Sequence, residues 1–358
     1  MSQLEKDNRY IFWRHDERPT FFMMVGLAGS GKSDLASIIY CENENGIIQK
    51  PIIHSSDALR LEIFGDYDDE DQSKKEIVLK EIKNRIKKDL NEVKNVIYDA
   101  TNLNTKLRTS VLTELKKTGA YKQCILSMTP FDECIRRNNE RETHNVPESQ
   151  IKRTYMTFTP PGYQEGWDNI LPIYNYELKD FAHKYNIDRL LKEMDSFEQG
   201  NLHHALSLGG HCRKTMQYIN DLTPNDRALQ MAAILHDCGK INTKTSMNAK
   251  GENDGQSHYY QHHAVGAYEA MFYLKHAGVS NEEQLDIANL IYYHMHPSST
   301  WEQSKRATNK AMNFLGNKMF ERIMTLHTAD VRAHSPIQAR KLDTKEKNHS
   351  EGELNIER

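Results

Sequence analysis

The stretch Gly26-Leu27-Ala28-Gly29-Ser30-Gly31-Lys32-Ser33 constrains this chain more than any other. It spells G-x-x-x-x-G-K-S between an apolar run of strand character, Thr20 to Val25, and a run of helical periodicity, Asp34 to Tyr40. Strand, glycine-rich turn and helix in that order build a phosphate cradle. The glycines let successive backbone N–H groups point inward, and the helix N-terminus adds partial positive charge. In such a cradle Gly26, Gly29, Ser30 and Gly31 shape the loop, Lys32 reaches the β- and γ-phosphates, and the Ser33 hydroxyl holds Mg2+. The expected cofactor is ATP, or another nucleoside triphosphate, with Mg2+.

A length of 358 residues predicts two domains rather than one core. No signal-peptide core opens the chain and no run approaches about 18 apolar residues. A cytoplasmic protein with no membrane contact is expected. The five cysteines form no C-x-x-C pair and read as reduced thiols. A net charge of -3 excludes a globally basic nucleic-acid binder, so polynucleotide contact would need a local patch. Of 17 histidines, 13 lie after residue 200, which predicts a metal site in the C-terminal half.

Residues 1 to 19 read as a polar lead-in arm. Strand candidates follow at Pro51 to His54, Asn95 to Asn102 and Tyr121 to Ser127. Helical spacing marks Ser73 to Val93, Asn104 to Thr118 and Phe131 to Glu142. Asp66 to Asp71 is an acidic loop or helix start. The alternation predicts an α/β domain, a parallel sheet covered by helices. Ligands of such sheets sit beyond the carboxyl ends of the strands, where Asp57 and Arg60 fall. There Asp57 can accept the proton of an attacking hydroxyl, or simply cap a helix. Arg137 and Arg141, four apart, can neutralise a transferring phosphoryl group or form a solvated face. Asp99 closes the set.

The order of these pieces matches a family. Residues Phe21 to Tyr155 resemble the bacteriophage-type polynucleotide 5′-kinases through GLAGSGKS, DALR at Asp57 to Arg60, VIYDATNLN at Val96 to Asn104 and IRRNNERETHNVPESQIKRTY at Ile135 to Tyr155. The resemblance implies that Asp57 is the general base for a terminal 5′-hydroxyl. It implies that Arg60 grips the acceptor's 3′-phosphate, and that Arg141, helped by Arg137, is the lid arginine over the γ-phosphate. Asp99 would organise the metal or hold Arg60. RNA and DNA ends are separated poorly by these motifs.

Thr159 to Tyr176 is rich in proline and glycine and reads as the exit from this unit. Glu177 to Phe197 reads as linker plus a first helix, and from Gly200 onward the pattern is helices only. His236-Asp237 ends an apolar helix before Gly239, where imidazole and carboxylate together suit a divalent transition metal with positions left open for water and substrate. Lys240 can bind phosphate or serve as a helix C-terminal cation. His203, His204, His258, His263 and His296 taken singly read as core histidines.

The ordered set resembles the HD-domain metal-dependent phosphohydrolases. HALSLGGH ends at His211, LHDCGK supplies His236 and Asp237, YYQHHAVGA offers His262, and His294 and Asp330 close the series. The resemblance implies a working site for one or two ions of Mn, Ni, Co or Fe in an all-α domain. The chemistry it implies is attack of a metal-activated hydroxide on a phosphate ester. Expected bounds are 1–175 for the kinase domain, 176–335 for the HD domain and 336–358 for a charged, disordered tail.

A 5′-kinase fused to a phosphohydrolase implies healing of RNA or DNA ends, RNA favoured: phosphorylation of a 5′-hydroxyl and removal of a 2′,3′-cyclic, 2′- or 3′-phosphate. A separate RNA ligase would be the partner. Two alternatives stand beside this reading: a nucleoside or other small-molecule kinase joined to a nucleotidase or cyclic-nucleotide phosphodiesterase, and a non-catalytic nucleotide-dependent switch.

Overall fold

The computed structural model describes all residues except 1, 7–8, 14–17, 68–70, 143, 201–205 and 335–358. The proposed tail, His203 and His204 lie outside the described residues. Two compact units divide the chain, Met1–Glu177 and Leu178–Arg358.

The first unit is built on β3 (Thr20–Val25), whose six residues are all buried. The N-terminal strands β1 (Ser2–Lys6) and β2 (Arg9–Trp13) precede it, and β4 (Ile39–Glu42), β5 (Ile48–Gln49), β6 (Ile52–Ser55), β7 (Val96–Asp99), β8 (Tyr121–Met128) and β9 (Asn169–Tyr174) follow. A five-stranded sheet runs β6-β7-β3-β8-β9, every neighbour parallel. Because strands on both sides of β3 are reached by crossovers, the loops after β3, β6 and β7 open on one carboxyl edge. Register pairs Ser55 with Asp99 on that edge. That is how Asp57, Asp99 and the phosphate loop come to share a neighbourhood.

Three segments differ from the sequence expectation. The expected arm contributes β1 and β2, which join β4 and β5 in a second sheet. The helix after the phosphate loop is only Lys32–Ser37. Ile38 ends it and Ile39–Glu42 pairs in parallel with β2, since two isoleucines and a tyrosine serve a half-buried strand better than a helix turn. Phe12 of β2 meets Phe22 of β3 edge-on at 5.1 Å, in a core with Leu35, Ile39 and Ile125. Finally, Asn169–Tyr174 completes the parallel sheet rather than leaving it, with Pro172 on the outermost strand, where a missing N–H costs least.

The second unit is helical. Its main helices are Ile187–Ser196, Leu208–Leu222, Arg227–Leu235, His262–His276, Asn281–Tyr293, Lys305–Leu315 and Asn317–Ala333. Side-chain caps start several of them, with Ser207, Asp226, Ser280 and Ser304 each accepting a backbone N–H. His262–His276 is buried along almost its whole length and forms the centre of the unit. Strands β10 (Lys244–Met247) and β11 (Asn253–Tyr259) form a hairpin that the helices-only expectation missed. Their residues are exposed or half-buried, so no apolar alternation announced them.

Candidate functional site

In the first unit the phosphate loop is pinned by its neighbours. The Ser30 carbonyl accepts from Ser127 Oγ at 2.7 Å, Thr129 Oγ1 at 3.0 Å and Asn175 Nδ2 at 3.0 Å. Gly29 has φ +81, and a Cβ there would stand 2.1 Å from the Cys134 carbonyl, so only glycine fits both the backbone and the space. Asn102, itself at φ 47, donates to the Met24 carbonyl at 2.8 Å, and Gly26 N donates to Thr101 O at 3.0 Å. The corner after β7 is thus tied to the strand that launches the loop.

A cavity of about 390 Å3 opens beside the loop and is lined by Lys32, Ser33, Asp57, Arg60, Asp99 and Arg141, among others. Arg60 is buried and donates Nη1 to Asp57 Oδ1 at 2.8 Å. Arg60 Nε and Asp99 Oδ1 are buried with no hydrogen-bond partner among the described residues, as is Ser30 Oγ. Buried polar atoms left unpaired by the protein are the atoms a phosphorylated ligand and its cation would satisfy. Asp57 is not the helix cap: the hydroxyl of Ser55 accepts from Ala58 N and does that work.

Arg137 does not line this cavity. Its Nε meets Glu133 Oε1 at 2.7 Å and Nη2 donates to Asn175 O at 2.9 Å. Nη1 lies 3.6 Å from where a Gly31 Cβ would be, so the guanidinium stands beside the loop. The bonds from Arg136 and Arg137 hold the Glu133 carboxyl down to about 2.

The second unit brings helix ends together. His211 lies in the first turn of Leu208–Leu222, His236 and Asp237 follow the apolar Arg227–Leu235, and His262 opens the central helix. His294 follows Asn281–Tyr293, and Asp330 lies in the last turn of Asn317–Ala333. Asp237 is the hub. Its Oδ1 is 3.2 Å from His262 Nε2 and 3.8 Å from His294 Nε2, while Oδ2 is 3.4 Å from His236 Nε2 and 3.6 Å from His211 Nε2. Asp330 Oδ1 lies 2.9 Å from His211 Nε2 and 3.4 Å from His236 Nε2. Gly239 makes the close approach possible, since a Cβ there would be 2.1 Å from the His262 carbonyl.

Three imidazoles are oriented alike. Nδ1 of His236, His262 and His294 contacts the carbonyl three residues earlier, at 2.8, 2.8 and 2.6 Å. With the proton on Nδ1, each Nε2 presents a lone pair to the centre. Among the described residues no hydrogen bond satisfies those three buried Nε2 atoms. Burial, then the neighbouring imidazoles, keep His294 well below the usual histidine range and therefore neutral. Burial opposes charge on Asp237, but Lys240 and His236 hold its carboxyl well below the usual range. Burial likewise opposes charge on Asp330, which His211 and His236 hold well below that range too. Inward-facing imidazole nitrogens without a hydrogen bond, beside ionised carboxylates, are the donor set a divalent transition metal takes.

Family models match at this point. Residues 21–161 match the AAA domain and residues 203–333 match the HD domain. The chain carries an AAA domain followed by an HD domain.

No curated protein matches this chain significantly. Among solved structures, the Pnkp1/Rnl/Hen1 RNA repair complex aligns at 24% identity and TM-score 0.31, over 39% of this chain and 43% of that chain. A second structure of the Pnkp1/Rnl/Hen1 complex aligns at 22% and 0.30, over 38% and 44%. The present chain therefore spans less than half the length of either. A gluconokinase from Sinorhizobium meliloti aligns at 16% and 0.31, over 45% of this chain and 85% of that one.

Lys240 begins the short helix Lys240–Thr243, and its buried ammonium meets Asp237 Oδ2 at 2.7 Å and Gln199 Oε1 at 3.0 Å. The HD domain also holds a histidine that the sequence reading passed over. His334 Nδ1 lies 3.6 Å from Asp330 Oδ1, and His334 groups with His211 and Asp330 at metal-binding separation. The signal was its spacing, four residues beyond Asp330 on one helix face. In the AAA domain the missed residue is Arg108, fully buried. It donates Nε and Nη2 to Glu165 at 2.7 and 2.6 Å and Nη1 to the Asn102 carbonyl at 3.0 Å.

Proposed function

We propose that this chain heals broken polynucleotide ends. The AAA domain transfers phosphate from ATP, or another nucleoside triphosphate, to a 5′-hydroxyl end, with RNA the favoured substrate. The HD domain removes a 2′,3′-cyclic, 2′- or 3′-phosphate from the other end. The observation that carries this reading is a single cavity shared by Lys32 and Ser33 with Asp57, Arg60 and Arg141. Phosphate-binding and hydroxyl-activating groups line one space, as a phosphotransferase requires.

In the AAA domain, Lys32 and Ser33 would hold the triphosphate and its Mg2+, with the unpartnered Asp99 Oδ1 on the cation side. Asp57 takes the proton of the acceptor hydroxyl, its carboxylate oriented by Arg60 at 2.8 Å. Arg60 Nε remains to grip an acceptor phosphate. Arg141 lines the cavity, with Arg137 beside the loop, and together they offset charge on the transferring group.

In the HD domain, His211, His236, Asp237 and Asp330 would hold one divalent transition metal. Asp237, His262 and His294 would hold a second, the two Asp237 oxygens facing different groups. A bound metal supplies an activated water and a Lewis acid for phosphate oxygens. Lys240 positions Asp237 for both sets. Ends carrying 5′-phosphate and 3′-hydroxyl are what an RNA ligase joins, so a separate ligase is the expected partner.

The test is to supply labelled ATP, Mg2+ and Mn2+, Ni2+, Co2+ or Fe2+ with a 5′-hydroxyl RNA ending in a 2′,3′-cyclic phosphate. Both termini should change. Phosphorylation of free nucleosides but not of the RNA would replace this reading with the small-molecule kinase.

A further inference from the structure

The AAA-domain cavity beside the phosphate loop also has an aromatic lining. Tyr67 and His144 both line it, and their rings stack with centroids 4.2 Å apart and planes 29° apart. They come from different walls. Tyr67 follows the helix Ser56–Phe64 that carries Asp57, and His144 lies between the helices Phe131–Asn139 and Glu148–Met156. Val146 and Ile151 line the same cavity.

The Tyr67 wall is anchored. Gly65 ends the helix in the left-handed region at φ 74, Asp66 bridges to Lys74 at 2.9 Å, and that ammonium lies 5.4 Å over the Phe64 ring. Tyr67 is 36% exposed, so its stack on His144 leaves surface for a further partner. The cavity lining therefore combines cationic and carboxylate groups with the flat π-surface of Tyr67 and His144. A nucleotide offers matching parts, a 5′-hydroxyl and 3′-phosphate on the sugar and an aromatic base.

We propose that Tyr67 and His144 form a stacking platform for the base of the acceptor's 5′-terminal nucleotide, which selects an unpaired end and tolerates any of the four bases. The proposal rests on the polynucleotide-kinase reading of this cavity. A π-face recognises every base alike, whereas a paired terminal base has its face covered by the duplex stack. A small polyol or simple alcohol acceptor has no use for such a surface.

The experiment compares a single-stranded 5′-hydroxyl oligoribonucleotide with the same strand carrying an abasic 5′-terminal residue, using wild type, Tyr67→Ala, Tyr67→Phe and His144→Ala. Wild type should show a KM for the abasic strand roughly tenfold to a hundredfold higher, the range that one base–aromatic stack spans. Tyr67→Phe keeps the ring and should keep that ratio. Tyr67→Ala should bring the two strands to within about threefold of each other, and His144→Ala should narrow the gap part of the way. If wild type treats the two strands alike, or if Tyr67→Ala keeps the full wild-type ratio, the platform is refuted while the kinase reading stands. If wild type phosphorylates neither strand, the kinase reading itself falls and takes the platform with it.

Discussion

Asp237 Oδ1 stands 3.2 Å from His262 Nε2, on the oxygen opposite the one that meets Lys240 at 2.7 Å. One carboxylate thereby faces two groups of imidazoles, His211 with His236 and His262 with His294, and Asp237 belongs to two of the three side-chain groups with metal-binding spacing among the described residues. His262→Ala should therefore leave the set of His211, His236, Asp237 and Asp330 intact. Metal analysis of protein loaded with Mn2+ or Ni2+ should fall from about two ions per chain to about one, and Asp237→Ala should lose both. Equal occupancy in wild type and His262→Ala would show that His262 is not a ligand.

Lys240 offsets the charge of Asp237 inside the domain, where a bare carboxylate is costly. Lys240→Met removes the cation and leaves the carboxylate, a change that costs on the order of 3–5 kcal/mol for a buried pair. Thermal melts of the metal-free variant should show this loss, and added Mn2+ should restore much of it by replacing the missing positive charge. A variant as stable as wild type without metal would contradict the pairing.

The Arg108–Glu165 pair is the AAA-domain counterpart, with side-chain exposures of 0% and 1%. Glu165 also accepts from Trp167 Nε1 at 3.1 Å, and Arg108 braces the Asn102 carbonyl beside the phosphate loop. Arg108→Met should destabilise the domain by about 3–5 kcal/mol in urea denaturation. It should also raise the KM for ATP, because the corner that carries Asn102 loses its brace. Loss of stability with an unaltered ATP KM would leave Arg108 a purely structural residue.

These features were unevenly legible in the sequence. Thr20–Val25 and its glycine loop stood out because an apolar strand must precede the turn, and the histidine series stood out by residue type. Arg108 and Glu165 are 57 residues apart, and a charged pair at that separation reads as two surface residues until the fold joins them. The hairpin from Lys244 to Tyr259 buries little and leaves no alternating pattern. Ile38-Ile39-Tyr40 satisfies both helix and strand spacing, and pairing with Arg9–Trp13 decides it. Proline and glycine around 160–172 masked a strand that lies at the sheet edge, where proline is tolerated.

Glu133 gives the pH dependence. Its folded pKa of about 2, set by hydrogen bonds from Arg136 and Arg137, lies below the value of about 4.3 expected in the unfolded chain. Its contribution to stability is therefore complete above about pH 4.3 and is lost as pH falls towards 2. Glu133→Gln should be less stable than wild type at pH 6, and the gap should narrow as pH falls from about 5 to 3. A gap independent of pH would mean that the carboxylate charge is not what holds Arg137.

Two independent phosphorus centres are the core of the account, and separating them tests it most directly. One RNA bearing a 5′-hydroxyl and a 2′,3′-cyclic phosphate is treated with labelled ATP, Mg2+ and Mn2+ by wild type, Asp57→Ala and His236→Ala. Asp57→Ala should lose 5′ phosphorylation and still open or remove the terminal phosphate. His236→Ala should do the reverse. If either folded variant lost both activities together, two separate centres could not be maintained.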